Sequence, residues 1–238
     1  MARRQLGDVI EQERYFETVP VIEEDEGTRE LGEQYPYIIS GGTNTEKYYF
    51  THINDTTNYK FIIKPEYFAD ESNYIEAFPK RIHKIMSSNV DAKIFCVFDW
   101  DVIFGNEKKL RKHKGFEKQF QIEISNGHLI MCPSMPSIEY WFLLHFEDYK
   151  SLLKNYSKVS SRLSSYKSYF LDPSKRLKKL LKMEKYLKNP AWVIALCADG
   201  KLEIAIKRAK DNINAAIAAN DLENQSFSFV YKVFTEYR

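Results

Sequence analysis

Short apolar runs alternate with longer amphipathic stretches along the first two thirds of the chain. Tyr37 to Ser40 is one such run, and the TNTEKYYFTHI beyond Gly41-Gly42 reads as a helix entered through a Thr cap. YKFII (59–63) is aromatic and β-branched and stops at Pro65, as a strand does. Ser72 to Met86 has helical period across Pro79, which predicts a helix that starts late or kinks there. Lys93 to Phe98 predicts a third strand, Gly105 to Phe120 a helix, and His128 to Cys132 (HLIMC) a further strand. Between the last two, QIEISNG is compatible with a hairpin arm turning at Asn126-Gly127. After Pro136, SIEYWFLLHFEDY is helical by apolar content and length. The chain from Lys150 onward reads as helical through LEIAIKRAKDNINAAIAA. Strands separated by helices predict an α/β fold: a mostly parallel sheet flanked by helices, with a helix-rich C-terminal portion.

Composition narrows this picture. At 238 residues, 44% hydrophobic and 29% charged, the chain has the material for one large core. Residues 1–34 carry Arg3, Arg4 and an acidic run at Glu23 to Glu26, and read as an irregular or weakly helical lead-in. Residues 35–238 then form one domain, with 145–238 mainly helical. No run is long and apolar enough to span a membrane, and no N-terminal signal pattern stands out. Cys96, Cys132 and Cys197 are isolated in apolar settings, with no CxxC pair. That favours reduced core thiols and a cytoplasmic location over disulfides or zinc.

The net charge of +2 makes no strong field, but its distribution is uneven. EKKLRKHK (107–114) is a basic cluster, and a second one runs through Lys175, Arg176, Lys178, Lys179, Lys182, Lys185 and Lys188. Each reads either as a solvated helix face or as a set of phosphate contacts.

Chemistry concentrates in KIFCVFDWDVIF (93–104). Side chains i and i+2 of a strand point the same way, so Asp99 and Asp101 project together from its carboxyl end. Two converged carboxylates repel unless a cation or a proton lies between them. A hard divalent ion, Mg²⁺ or Mn²⁺, suits such a pair, because one or two carboxylates plus water and phosphate oxygens commonly hold it. A solvated acidic turn is the plainer alternative. SGGTNTE follows the first strand and offers a tight turn with helix amides behind it. Open parallel sheets bind ligands at the carboxyl ends of their strands, where both of these signals fall.

Three blocks resemble the RloB-like family, described together with the abortive-infection protein AbiLii. IISGGTNTEKYYF (38–50) is similar to its opening block, CVFDWD to the block ending in two aspartates, and SMPSIEYWFLLHFE (134–147) to its Ser-Asn-Pro-Cys-Phe-Glu-x-Trp-x-Leu-x-His run. The last keeps Ser134, Pro136, Glu139, Trp141, Leu143 and His145. The resemblance implies a Toprim-type fold across residues 35–238 and Mg²⁺-dependent cleavage of nucleic acid. It also implies an anti-phage effector role beside an ABC-type ATPase partner. Asp99 and Asp101 carry over as the metal pair. The family's catalytic glutamate does not carry over, because Gly41 stands in its place. Glu46, Glu139 or a water is then the substitute acid, unless the module is degenerate and binds a partner protein or nucleic acid without cleaving it.

Glu139 and His145, six residues apart on a helix, are about 120° apart around its axis. Glu139 reads as a carboxylate favoured by the helix dipole, or as a further metal ligand or catalytic acid. His145 reads as a core histidine or a general base. Trp141 reads as a packing anchor. FDWDV is also similar to the opening motif of haloacid-dehalogenase-like phosphatases, but no later strand ends in the acidic pair that fold needs. The residues leave open the choice of DNA, tRNA or other RNA and the oligomeric state, a homo-oligomer included.

Overall fold

In the computed structural model, Tyr37–Ser40 (β1) pairs in parallel with Ile62–Lys64 (β2) on one side and Ile94–Asp99 (β3) on the other. β3 pairs in parallel with Leu129–Met135 (β4), and Phe227–Ser228 (β5) closes that edge antiparallel, giving the order β2-β1-β3-β4-β5. The structure describes residues 35–42, 44–64, 74–169 and 177–237. The lead-in read at 1–34 lies outside them, as do Thr43, Pro65, Ser72, Lys175, Arg176 and the side chain of Lys178.

The central strand explains the sheet. Ile94 to Phe98 are all buried, so β3 is covered on both faces, and its apolar run is continuous rather than alternating. Alternation then sorts the side chains between two layers. Ile94, Cys96 and Phe98 join Ile39 and pack against Phe78 and Ile82 of Tyr74–Ser88 (α2) and Phe116 of Glu107–Gln119 (α3). Phe95 and Val97 join Ile38 on the other face. There they meet Tyr49 and Phe50 of Thr45–Thr56 (α1) and Trp141 and Phe142 of Ile138–Leu144 (α5). The C-terminal helices Tyr156–Leu163 (α6), Leu177–Leu180 (α7), Glu184–Leu187 (α8), Ala191–Cys197 (α9), Lys201–Ala218 (α10) and Tyr231–Thr235 (α11) all supply residues to this second layer. A mostly parallel sheet flanked by helices, helix-rich toward the C-terminus, is the architecture found. No helix among the described residues is long and apolar enough to cross a membrane.

Several local expectations shift. QIEIS is a short helix, Gln121–Ser125 (α4), not a hairpin arm. Gly127, at φ +75°, turns the chain from α4 into β4. The α1 cap is Asn44, without a side-chain cap bond, rather than a threonine. Thr45 Oγ1 instead donates to the carbonyl of Leu181, 3.2 Å away. β2 starts at Ile62, later than YKFII suggests, because Tyr59 and Phe61 turn aside to pack edge-on against Tyr237. α2 runs through Pro79 without a break. α5 stops at Leu144, whose carbonyl accepts a hydrogen bond from Arg208 Nη1 at 2.8 Å. β5, a strand within the span read as helical, is only two residues long, too short for any periodicity to reveal.

Candidate metal and catalytic site

Glu46, Asp99, Asp101 and Glu139 come to the carboxyl edge of the parallel strands on three separate segments. β1 ends at Ser40, and its pairing continues one residue further, with the Gly41 amide donating to the Val97 carbonyl at 2.8 Å. The Ser40 hydroxyl closes the turn by donating to the Gly42 carbonyl at 2.9 Å. α1 then begins, with Glu46 buried in its first turn. β3 ends at Asp99, and a single 3₁₀ turn, Trp100–Val102, carries Asp101. β4 ends at Met135, and α5 starts after Ser137 with Glu139 buried in its first turn.

Hydrogen bonds lace the last two segments together. Asp99 lies opposite Ser134 in the β3–β4 register, and its Oδ1 accepts from the Ile138 amide at 2.9 Å. The Asp101 amide donates to the Pro136 carbonyl at 3.1 Å. The Ser137 hydroxyl does not cap α5. It donates to Glu139 Oε2 at 2.6 Å and orients that carboxylate.

The four carboxylates act on one another. Burial pushes Glu46 up to about 7, with the negative charge of Glu139 adding to the rise and the amides of Glu46 and Gly42 opposing it. Asp99 is held well above the usual carboxylate range, first by burial and then by the charges of Glu46 and Glu139. Burial also raises Glu139, helped by Asp101 and opposed by the Ser137 hydroxyl and Lys182. Asp101 is raised by burial and eased by Lys109. Burial and like charge both disfavour ionisation, so the cluster calls for protons or cations.

A hydrated divalent ion fits this donor set. All four groups are hard oxygen donors, although among the described residues no three histidine, cysteine, aspartate or glutamate side chains are placed to hold one ion together. Mg²⁺ and Mn²⁺ are suited to a sparse site, because Mg²⁺ commonly keeps several waters and takes only one or two carboxylates. Asp99 and Asp101 supply two carboxylates of that kind at the end of β3. Thiolates play no part: Cys96 and Cys132 are buried and held protonated by that burial.

Gly42 has a role that no motif revealed. A β-carbon there would lie 2.0 Å from Glu46 Oε2, so the carboxylate occupies space that only a glycine leaves open. Lys109 and Lys182 also went unsingled within their basic clusters. Their nearness to Asp101 and Glu139 depends on how α3 and the chain between α7 and α8 fold back on the sheet.

His145 lies elsewhere. It is buried, its Nδ1 hydrogen-bonds the Trp141 carbonyl at 2.9 Å, and its ring meets the Trp141 indole edge-on at 5.0 Å. Burial lowers it to about 4, and the charges that act on it are Arg208 and Lys201, not the four carboxylates. A neutral, enclosed imidazole of this kind is a core histidine. Trp141 is fully buried and donates from Nε1 to Tyr49 Oη at 2.8 Å, a packing anchor with a satisfied polar end.

A family model described as RloB-like protein matches residues 37–236. Comparison with curated proteins and with solved structures gives no match. The matched span runs from the first residue of β1 to past the end of α11 and includes every carboxylate of the cluster, so the chain belongs to the RloB-like family.

Proposed function

We propose that this chain is a Mg²⁺-dependent nuclease of Toprim type, an effector of anti-phage abortive infection that works with an ABC-type ATPase partner. The observation that carries the reading is Glu46: a buried carboxyl raised to about 7, in the first turn of the helix after β1 and close enough to Asp99 for its charge to act on it. A group with that value exchanges a proton near neutral pH, which suits general acid–base work. Glu46 thereby takes over the task left vacant by Gly41. Asp99 and Asp101 would hold the ion, which supplies Lewis-acid stabilisation of charge on a phosphate oxygen.

The reaction is phosphodiester hydrolysis. A water oxygen bonds to phosphorus, the bond to the leaving oxygen breaks, and one proton passes from the water while another reaches the leaving group. Glu46 handles the first of these proton transfers. Glu139, oriented by Ser137, keeps the cluster negative and helps hold Glu46 in its raised range. Lys109 and Lys182 bring positive charge to the rim, where a phosphate backbone is attracted. The defence role and the ATPase partner rest on family resemblance, and both DNA and RNA, tRNA included, fit the chemistry.

The test is cleavage of single- and double-stranded DNA and RNA by the purified protein with Mn²⁺ or Mg²⁺, alone and with its ATPase partner. Activity that disappears in Asp99→Ala and falls in Glu46→Gln supports the reading. Metal binding without cleavage under every condition, partner included, assigns the chain to the binding-only alternative.

A further inference from the structure

Beside the carboxylates lies a pocket that the chemistry above does not use. It has a volume of about 400 Å³ and is lined chiefly by Trp100, Phe104, Leu110, Met135 and Phe227, with Glu223 as the one charged residue of the lining. Trp100 sits between the two metal-binding aspartates in sequence, and consecutive α-carbons are about 3.8 Å apart. The indole is set in place by His113, which meets it edge-on at 5.1 Å, and by Phe227 at 6.4 Å. Phe104 is 45% exposed and lines the pocket, so its ring is open to a ligand from solvent. Gly105, at φ +72°, turns the chain from Phe104 into α3. Leu110 brings the first turns of α3 to the pocket, and the same helix carries Lys108, Arg111, Lys112 and Lys114 on its exposed surface.

We infer that this pocket receives an unpaired nucleobase next to the scissile phosphate, which makes single-stranded or locally opened nucleic acid the preferred substrate class. The inference rests on the nuclease reading and deepens it. Three features converge on a nucleotide rather than a protein side chain. The pocket is aromatic, and a base offers a flat π-face to stack on an indole or a phenyl ring. The helix that reaches the pocket through Leu110 carries Lys108, Arg111, Lys112 and Lys114 on its exposed surface, complementary to the phosphates that flank a base. Trp100, which lines the pocket, belongs to the 3₁₀ turn that follows Asp99 and carries Asp101, so a base stacked on it lies one residue along the chain from each aspartate. A paired base inside a duplex is stacked on both sides and cannot enter.

Trp100 makes the inference measurable. The chain has three tryptophans, and Trp141 and Trp192 are fully buried, so quenching by an added base reports on Trp100. Full-length protein is titrated in chelator, to prevent cleavage, with a short single-stranded oligonucleotide as DNA and as RNA, and with the same sequence as a duplex. The expected result is quenching by the single strand, little by the duplex, and a roughly 5- to 100-fold weaker affinity in Phe104→Ala. Phe104→Tyr, which keeps the ring, should restore binding, and both variants should melt like the wild type because Phe104 is exposed. Single-strand binding without quenching and unaffected by Phe104→Ala would overturn the pocket and leave the nuclease reading intact. Equal quenching by duplex would overturn the single-strand preference. Absence of binding to any oligonucleotide would overturn the pocket and leave the nuclease reading to the cleavage assay with metal and partner. Fluorescence that changes with protein concentration alone would assign the pocket to contact between copies of the chain and sink the proposal.

Discussion

The carboxylate of Glu46 folds back over Gly42, its Oε2 only 2.0 Å from where a β-carbon at that position would stand. The first turn of α1 thereby returns an acid to the strand end that Gly41 leaves bare. A glycine that looks like a loss one position earlier is matched by a second glycine that makes room for a replacement.

Gly42→Ala is therefore expected to act like a mutation of Glu46. The methyl group displaces the far end of a flexible side chain and not the backbone, so the melting temperature should change little. Cleavage should fall by roughly 10²- to 10⁴-fold, the usual worth of a general acid–base group, and Glu46→Gln should match it. Full activity in Gly42→Ala, measured beside Glu46→Gln, would remove Glu46 from the mechanism.

Metal binding is assigned to a different pair. Calorimetric titration with Mn²⁺ should show one divalent site in the wild type and in Glu46→Gln, and none in the Asp99→Ala/Asp101→Ala double variant. Equal binding by wild type and double variant would show that the ion, if any, is held elsewhere.

The buried carboxylates should make the protein less stable as pH rises. Glu46 ionises near 7 when folded against 4.5 ordinarily, so between those values the folded state holds a proton that the unfolded chain has released. Stability contributed by the protonated form is complete below about pH 4.5 and is lost through pH 7, by on the order of 3 kcal/mol. Asp99 and Glu139 are shifted in the same direction and add to the slope. Urea unfolding at pH 5 and pH 8 should show the fall, Glu46→Gln should flatten it, and Mg²⁺ should restore stability at pH 8.

His145 gives the opposite sign and a different outcome. Its folded value of about 4 lies below the ordinary 6.5, so its contribution is present above pH 6.5 and lost as pH falls toward 4. His145→Ala should destabilise the fold by about 1–3 kcal/mol through the lost contact to Trp141 and the space left behind. Mn²⁺ affinity should be unchanged. A variant that folds as well as wild type but loses cleavage would restore His145 to the catalytic set.

Salt tests the basic surface. If Lys108, Lys109, Lys112 and Lys114 contact phosphate, oligonucleotide affinity should fall steeply with ionic strength, and reversing these charges to Glu should flatten that slope. An unchanged slope would make the helix a solvated face.

Much of this was legible one residue at a time. The continuous apolar run ending in Asp-Trp-Asp announced a buried parallel strand with carboxylates at its carboxyl end, because strand periodicity is local and burial on both faces leaves no polar position. Helix α4 was not legible: Ile122 and Ile124 suit either a strand or a helix, and a five-residue segment is too short for periodicity to decide between them. Two-residue β5 carries no periodicity at all. Glu46 and Glu139 were individually visible as candidates, each in the first turn of a helix. The residues alone were enough for the fold class, the strand that ends in Asp99, and the glycine where an acid was expected; Asp101 was read as part of that strand end and instead lies on the 3₁₀ turn beyond it. The tertiary structure decided that Glu46 and Glu139 join that pair while His145 stays in the core, because electrostatic coupling depends on distance through space, which sequence separation does not encode.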